Sequence, residues 1–182
     1  MYIRTALDSD NLDALVLARG IAHFTLTYAD LFDTEKELQA FTAEVGNRVV
    51  LIDRALGDPL GRASIADDES FAITDGQLAR WYDQREEAGT KFITVYTDRD
   101  NLAAADAALG ARGHWRWVAT LDGTAWLNLP GYRALRRPGL IQCLSSAMTG
   151  LPADLSLVLS SGWHPEVQGQ TLVNGYAGVL IH

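Results

Sequence analysis

Cysteine is almost missing from this chain of 182 residues: the one copy, Cys143, sits in the apolar run LIQCL. A single thiol excludes an internal disulfide and a cysteine-based zinc site, and in that setting it reads as a buried, inert side chain. The only other sulfur comes from two methionines, so no soft-metal site is expected. The histidines His23, His114, His164 and His182 show no ligand spacing and read as scattered surface or satisfied residues. Positive charge is also short. Lys plus Arg number 15 against 23 Asp plus Glu, a net charge of −8, which argues against a general nucleic-acid or anionic-membrane binder, because both need a basic face. No apolar run approaches the roughly 20 residues of a membrane helix. The opening MYIRTALD places a charge and an acid where the apolar core of a signal peptide would stand. With no such signal expected, the protein is placed in the cytoplasm, released by lysis, or carried on a phage particle. The glycines of GDPLGR match neither a Walker nor a dinucleotide pattern, and no GxSxG elbow is present. No cofactor and no metal is expected.

What the chain does contain is an alternation of apolar runs and helical patterns. Tyr2–Leu7, Ile21–Tyr28, Arg48–Asp53, Arg62–Asp67, Lys91–Thr97, His114–Thr120, Leu140–Ser145 and Asp154–Leu159 read as strands. Helical spacing follows Asp10, Thr34, Thr74 and Asp100, with Thr34/Glu37 and Thr74/Gln77 at capping-box spacing and Gly20, Gly46, Gly89 and Gly113 as stops. Strands alternating with helices mean parallel βαβ units. About eight of them predict an α/β fold, a compact (β/α)₈ TIM-like barrel, although such barrels usually run upward of about 200 residues. Helices between strands 3 and 4, and between the last two strands, would then be missing or vestigial. An open doubly wound sheet is the alternative. The barrel is assigned to residues 1–163 and a C-terminal tail to 164–182. The tail is turn-rich yet ends in the apolar GVLI, so it is expected to pack on the barrel's own surface or on a partner.

Acids collect at the predicted strand ends. The stretch RASIADDES, Arg62–Ser70, ends in Asp67, Asp68 and Glu69. Side chains at i and i+2 of a strand share a face, so Asp67 and Glu69 form a pair, with Asp68 as the bystander. Two carboxylates on one face make one of them easier to protonate, which is raw material for acid/base chemistry; the plainer reading is a solvated acidic loop. Asp8 ends strand 1, Asp98 and Asp122 follow strands 5 and 6, and Asp154 lies at the start of the last strand, beside Asp8 if the barrel closes. Active sites of such barrels lie at the C-terminal strand ends. Gathered acids there suit glycoside hydrolysis or a hard-metal site. Trp115 and Trp117 share a strand face, and Tyr28, Tyr96 and Trp126 lie near strand ends or in loops. Aromatic faces of this kind stack on sugar rings; the competing reading puts Trp115 and Trp117 in the core.

The order of these pieces resembles the glycoside-hydrolase-like barrels related to family 25 lysozymes, including their divergent actinobacterial and phage relatives. Asp8 closes an early strand. Asp67-Asp68-Glu69 closes a central one, followed by VYTDRDNL, Trp117-Val118-Ala119, the strand carrying Gln142, and Asp154-Leu155-Ser156. The resemblance spans about Ile3 to Trp163 and departs at Cys143, where family members commonly carry an aromatic. It implies that Glu69 is a general acid and that Asp67 assists the substrate's N-acetyl group in a retaining, substrate-assisted muramidase-like reaction. Asp8 and Asp154 would be supporting acids, with Tyr28, Tyr96, Trp117, Trp126 and Gln142 toward substrate. The expected role is a phage virion-associated, minor-tail-like protein that binds or cleaves bacterial cell-wall glycan. The alternatives are a structural virion protein on an inactive barrel and a free endolysin. Its partners would be that glycan, and other virion proteins or a second copy met through the tail.

Overall fold

The computed structural model describes residues 4–46, 48–54, 56, 58, 60–69, 73–121, 138–160, 162–165, 167 and 168. Eight strands close into a barrel in sequence order. They are β1 (Arg4–Asp8), β2 (Phe24–Tyr28), β3 (Val49–Asp53), β4 (Ile65–Asp67), β5 (Thr94–Asp98), β6 (Trp115–Ala119), β7 (Pro138–Leu144) and β8 (Asp154–Val158). Around them lie α1 (Leu12–Leu17), α2 (Glu35–Val45), α3 (Asp75–Glu87), α4 (Leu102–Leu109) and the short α5 (Ser146–Thr149), with a 3₁₀ turn at Ala29–Leu31. Strands β1 to β7 are parallel neighbours, while β8 runs antiparallel to both β7 and β1. The α/β barrel expected from the strand count is therefore present, but a helix does not follow every strand among the described residues. Only the four-residue α5 separates β7 from β8, and among the described residues no helix lies between β3 and β4.

Alternation along each strand sorts the side chains into two layers. Ala6, Leu26, Val50, Ile52, Ile65, Trp117, Leu140 and Val158 fill the barrel interior. Leu7, Val49 and Leu51 face α1 and α2, and Ala66 and Val95 face α3 and α4. The capping box that starts α2 forms: Glu37 N–H donates to Thr34 Oγ1 at 3.3 Å and Thr34 N–H to Glu37 Oε2 at 3.0 Å. Two caps fall one residue later than the sequence predicts. Asn11, rather than Asp10, accepts from Ala14 N–H to start α1, and Asn101, rather than Asp100, precedes α4.

A polar network replaces the helix missing between β3 and β4. Asp53 ends β3 facing outward, where Trp81 of α3 donates its indole N–H to Oδ2 at 2.9 Å. Arg85, one turn further along α3, places Nη2 3.7 Å from the same oxygen and Nη1 3.3 Å from Asp58 Oδ2. Asp58 in turn accepts from the backbone N–H groups of Leu60 and Ala63. One largely covered arginine, its side chain 11% exposed, thus ties a helix-less connection to the neighbouring helix.

The base of the barrel is closed by the chain that follows β8. Because β8 descends, it delivers residues 159, 160, 162–165, 167 and 168 to the end opposite the mouth. Trp163 is fully buried there, edge-on to Phe24 at 5.3 Å, with its indole N–H donated to Thr94 Oγ1 at 3.1 Å. Arg4 donates to the carbonyls of Ser160 and Trp163, and Gln168 N–H to Val49 C=O at 2.7 Å. The start of the tail therefore packs on its own barrel; the remainder of the tail, from residue 169, lies outside the described residues.

Two stability outcomes follow. Trp163→Ala empties the base and should cost about 3–5 kcal/mol, with Trp163→Phe costing less, as read from urea denaturation midpoints. Arg85→Met removes the cation that faces the buried Asp53 and Asp58 carboxylates, though Trp81 still donates to Asp53, and should cost about 3–5 kcal/mol, the usual scale for breaking a buried pair from one side.

Candidate functional site

The mouth at the C-terminal ends of β1 to β7 gathers the predicted acids. Asp8 and Asp67 are the last residues of β1 and β4, both in the inward phase of their strands. Asp154 is the first residue of β8, and it reaches the same mouth because β8 is antiparallel; its register partner is Asp8 itself. Glu69 stands two residues beyond Asp67 and is half-buried. Asp8 and Asp67 are 7% and 5% exposed, and Asp8 Oδ1 and Asp67 Oδ1 accept no hydrogen bond from the described protein atoms.

Gln142, facing inward from β7, joins this set. Its Nε2 donates to Asp8 Oδ2 at 2.8 Å and to Asp154 Oδ2 at 3.2 Å. Its Oε1 accepts from the Tyr96 hydroxyl at 2.5 Å. Asp154 Oδ1 also accepts the Ser146 backbone N–H from the start of α5. Tyr96 is the register partner of both Asp67 and Trp117, and its ring packs on Trp117 at 4.5 Å. Trp117 itself is 1% exposed and donates its indole N–H to Ser156 Oγ at 2.9 Å. It is a core residue that backs Tyr96, so its ring offers no stacking face to a ligand. Tyr28 is half-buried at the mouth, with the Arg54 guanidinium 4.4 Å from its ring centroid. Arg54 is held there by Asp30 at 2.9 Å. Trp126 and Asp122 lie outside the described residues.

Burial and mutual repulsion raise these acids. Asp8 is raised well above the usual carboxylate range, by burial first and then by Asp154, with the Gln142 bond opposing and Asp67 and Glu69 adding. Asp67 is pushed up to about 7 by burial and by Glu69, against the charge of Arg54 and a hydrogen bond from Tyr28. Glu69 is raised by burial, with hydrogen bonding to Tyr96 opposing and Asp98 and Asp154 adding. Both Tyr28 and Tyr96 are raised, through burial and the acids around them, and keep their protons. The environment thus holds protons on carboxyls near neutrality, a condition for general acid catalysis.

Asp68 is more than the bystander the strand pattern suggests. It points away from Asp67, as expected, but is 1% exposed. Its carboxylate and carbonyl accept from Asn101 Nδ2 at 3.2 and 3.3 Å, and its carbonyl also takes the Thr97 hydroxyl at 3.0 Å. Burial, then Asp75 and Asp98, push it up to about 7. Asp68 therefore latches the loop after β4 to the loop after β5. The only trace of it in the sequence is an asparagine three residues after the strand-end Asp98.

Two recesses open beside the acids. One of about 430 Å³ is lined by Glu69, Asp68, Asp75, Asp98 and Asn101 among others; the second, about 440 Å³, includes Asp8, Asp154, Tyr28, Arg54, Asn11 and Ser146. Among the described residues no group of three or more His, Cys, Asp or Glu is placed to hold a metal ion, and no helix is long and apolar enough to cross a membrane. No protein-family model, curated protein or solved structure matches this chain.

The raised acids set a pH dependence of stability. Asp67 and Asp68 ionise near 3.8 when unfolded and near 7 when folded. Between those values the folded state binds more protons, so stability is greatest at the low end and falls as pH rises through 7. Urea midpoints should be higher at pH 5 than at pH 7.5, and Asp68→Asn should flatten that slope.

Proposed function

We propose that this mouth binds and cleaves an N-acetylated glycan of the bacterial cell wall. The observation that carries the reading is the convergence of four carboxyls from β1, β4 and β8 on one open end, two of them with a buried oxygen left to accept a hydrogen bond. Sugars carry a dense array of hydroxyl and amide donors, which is the complement such oxygens require. The resemblance to family 25 lysozymes supplies the reaction class as an analogy of sequence order.

In this reading Glu69 enters protonated and gives its proton to the glycosidic oxygen as the bond to C1 breaks. Asp67, as the anion, accepts the N–H of the 2-acetamido group and turns its carbonyl oxygen toward C1, where the new bond forms. Water then attacks C1, returning a proton to Glu69 and releasing the acetamido group, with configuration retained. Asp154 adds negative potential that supports the positive charge developing on the ring, the buried Asp8 helps to position substrate, and Gln142 holds both of them. On a phage particle, such a barrel would act on the host wall.

The test is digestion of purified cell wall. Wild-type protein should reduce wall turbidity, and Glu69→Gln should slow it by about 10²-fold or more, the scale of a lost general acid, while still sedimenting with the wall. Equal rates for the two would remove Glu69 as the acid. Sedimentation without turbidity loss in the wild type would assign a glycan-binding role alone.

A further inference from the structure

Among the described residues, Arg54 is the one cation lining the two recesses of the mouth. The strand before it sets its direction. Ile52 of β3 faces the barrel interior and Asp53 faces α3, so the next side chain turns back toward the mouth. There it lines the recess that it shares with Asp8 and Asp154. The neighbouring strand β2 holds it in place. Asp30, in the 3₁₀ turn after β2, accepts from Nε at 3.0 Å, and the same oxygen, Oδ2, lies 2.9 Å from Nη2. The Tyr28 ring supports the guanidinium at 4.4 Å. A guanidinium carries five N–H donors. Asp30 engages two of its nitrogens, which leaves at least three N–H groups that no other described residue accepts. An arginine ordered in advance loses less freedom when a ligand arrives.

The charges around Arg54 select what it can hold. Asp30 already matches its charge. Asp8, Asp10 and Asp154 line the same recess, and the other recess adds further acids and no cation. A ligand carboxylate would share one guanidinium with Asp30 and face these acids, and like charges brought together cost affinity. A neutral oxygen meets no such repulsion and still takes the remaining N–H groups. We propose that Arg54 is a specificity residue of the mouth: its free edge donates to an uncharged oxygen of the glycan, an amide carbonyl or a hydroxyl, while the surrounding acids exclude sugars that carry carboxylates. The ligand class is then an uncharged N-acetylated oligosaccharide. Asp8, which keeps one buried oxygen without a protein partner, lines the same recess and supplies a contact for the ligand's own donors. The selection combines an attractive group with a repulsive surround, as specific sites commonly do.

This inference rests on the glycan reading of the mouth, but its test reads binding rather than turnover. Two probes are titrated by calorimetry into the whole chain carrying Glu69→Gln, which blocks cleavage: chitotetraose, uncharged and N-acetylated, and hyaluronan tetrasaccharide, in which every second sugar is an acid. Chitotetraose should bind. Hyaluronan tetrasaccharide should bind at least about tenfold more weakly, and the gap should narrow as added salt screens the acids. Arg54→Ala should weaken chitotetraose binding by about tenfold or more, the scale of one hydrogen bond to a charged group. Arg54→Lys keeps the charge but loses the planar fork, so it should weaken binding as well. Amide NMR spectra check the fold of both variants, and Arg54→Lys carries the test where Arg54→Ala does not fold. Binding of neither probe, hyaluronan binding as tight as chitotetraose or tighter, or unchanged chitotetraose affinity in the folded variants overturns the proposal. Wall digestion that depends on Glu69, in a protein whose glycan binding ignores Arg54, removes this inference and leaves the cleavage reading. Charge-selective binding through Arg54 without digestion does the reverse.

Discussion

The barrel closes on a contact between like charges. Asp8 and Asp154 are register partners where the last strand meets the first, and like charges directly opposite each other on neighbouring strands are destabilising. The Gln142 amide reaches one oxygen of each, the Ser146 N–H satisfies Asp154 further, and a raised proton affinity leaves Asp8 neutral more readily than an exposed acid. Without those donors the seam would carry uncompensated buried charge at the point that holds the barrel shut. The site and the closure of the fold are therefore one arrangement. The same amide that makes the seam tolerable also accepts the Tyr96 hydroxyl, so it joins the seam to the tyrosine of β5.

The remainder of the molecule manages burial of charge in the same manner, by giving each buried acid donors from a different element. Asp53 and Asp58 are served by Trp81, Arg85 and backbone N–H groups, and this secures the connection that has no helix. Asp68 is served by Asn101, which secures two of the mouth loops to each other. Asp106 on α4 accepts from Arg116 at 2.8 Å and contacts His114 at 3.0 Å, clamping that helix onto β6. At the mouth the pattern changes. There Asp8 and Asp67 each retain an oxygen that the described protein leaves without a donor. A group that is satisfied everywhere else in the fold and left unsatisfied in one place marks where a ligand's donors belong.

Much of this was legible in the sequence, because strands announce themselves by alternation and by turn residues at their ends. The apolar runs before Asp8, Asp53, Asp67 and Asp98 are all strands that end at those acids. Alternation, however, reads the same in both directions along a chain, so it was blind to the reversal of β8. The consequence is specific: Asp154 at the start of a parallel strand would sit at the base, and only the reversal brings it to the mouth. Periodicity also assigns Trp115 and Trp117 to one face without saying whether that face looks inward, and the interior claims Trp117. Asp68 shows the same blindness, since an outward side chain in a barrel faces the helical layer rather than water. Arg85 was invisible for another reason. A cation on the flank of an amphipathic helix looks solvated until a loop from elsewhere in the chain brings Asp58 to it.

The Trp163 plug gives the fold an order of events. Strand β1 finds its second neighbour only in β8, roughly 150 residues away, and the base is stoppered only by a residue later still. Contacts of such long sequence separation form late, since the entropy of closing the intervening chain has to be met before they contribute. Until they form, the partly built sheet has two open edges and an uncovered apolar interior, one edge at β1 and the other at the advancing strand. The molecule is thus most exposed to wrong pairing just before its last strand and its tryptophan arrive. The mouth acids, which need β8 to meet, come together only when that exposure ends.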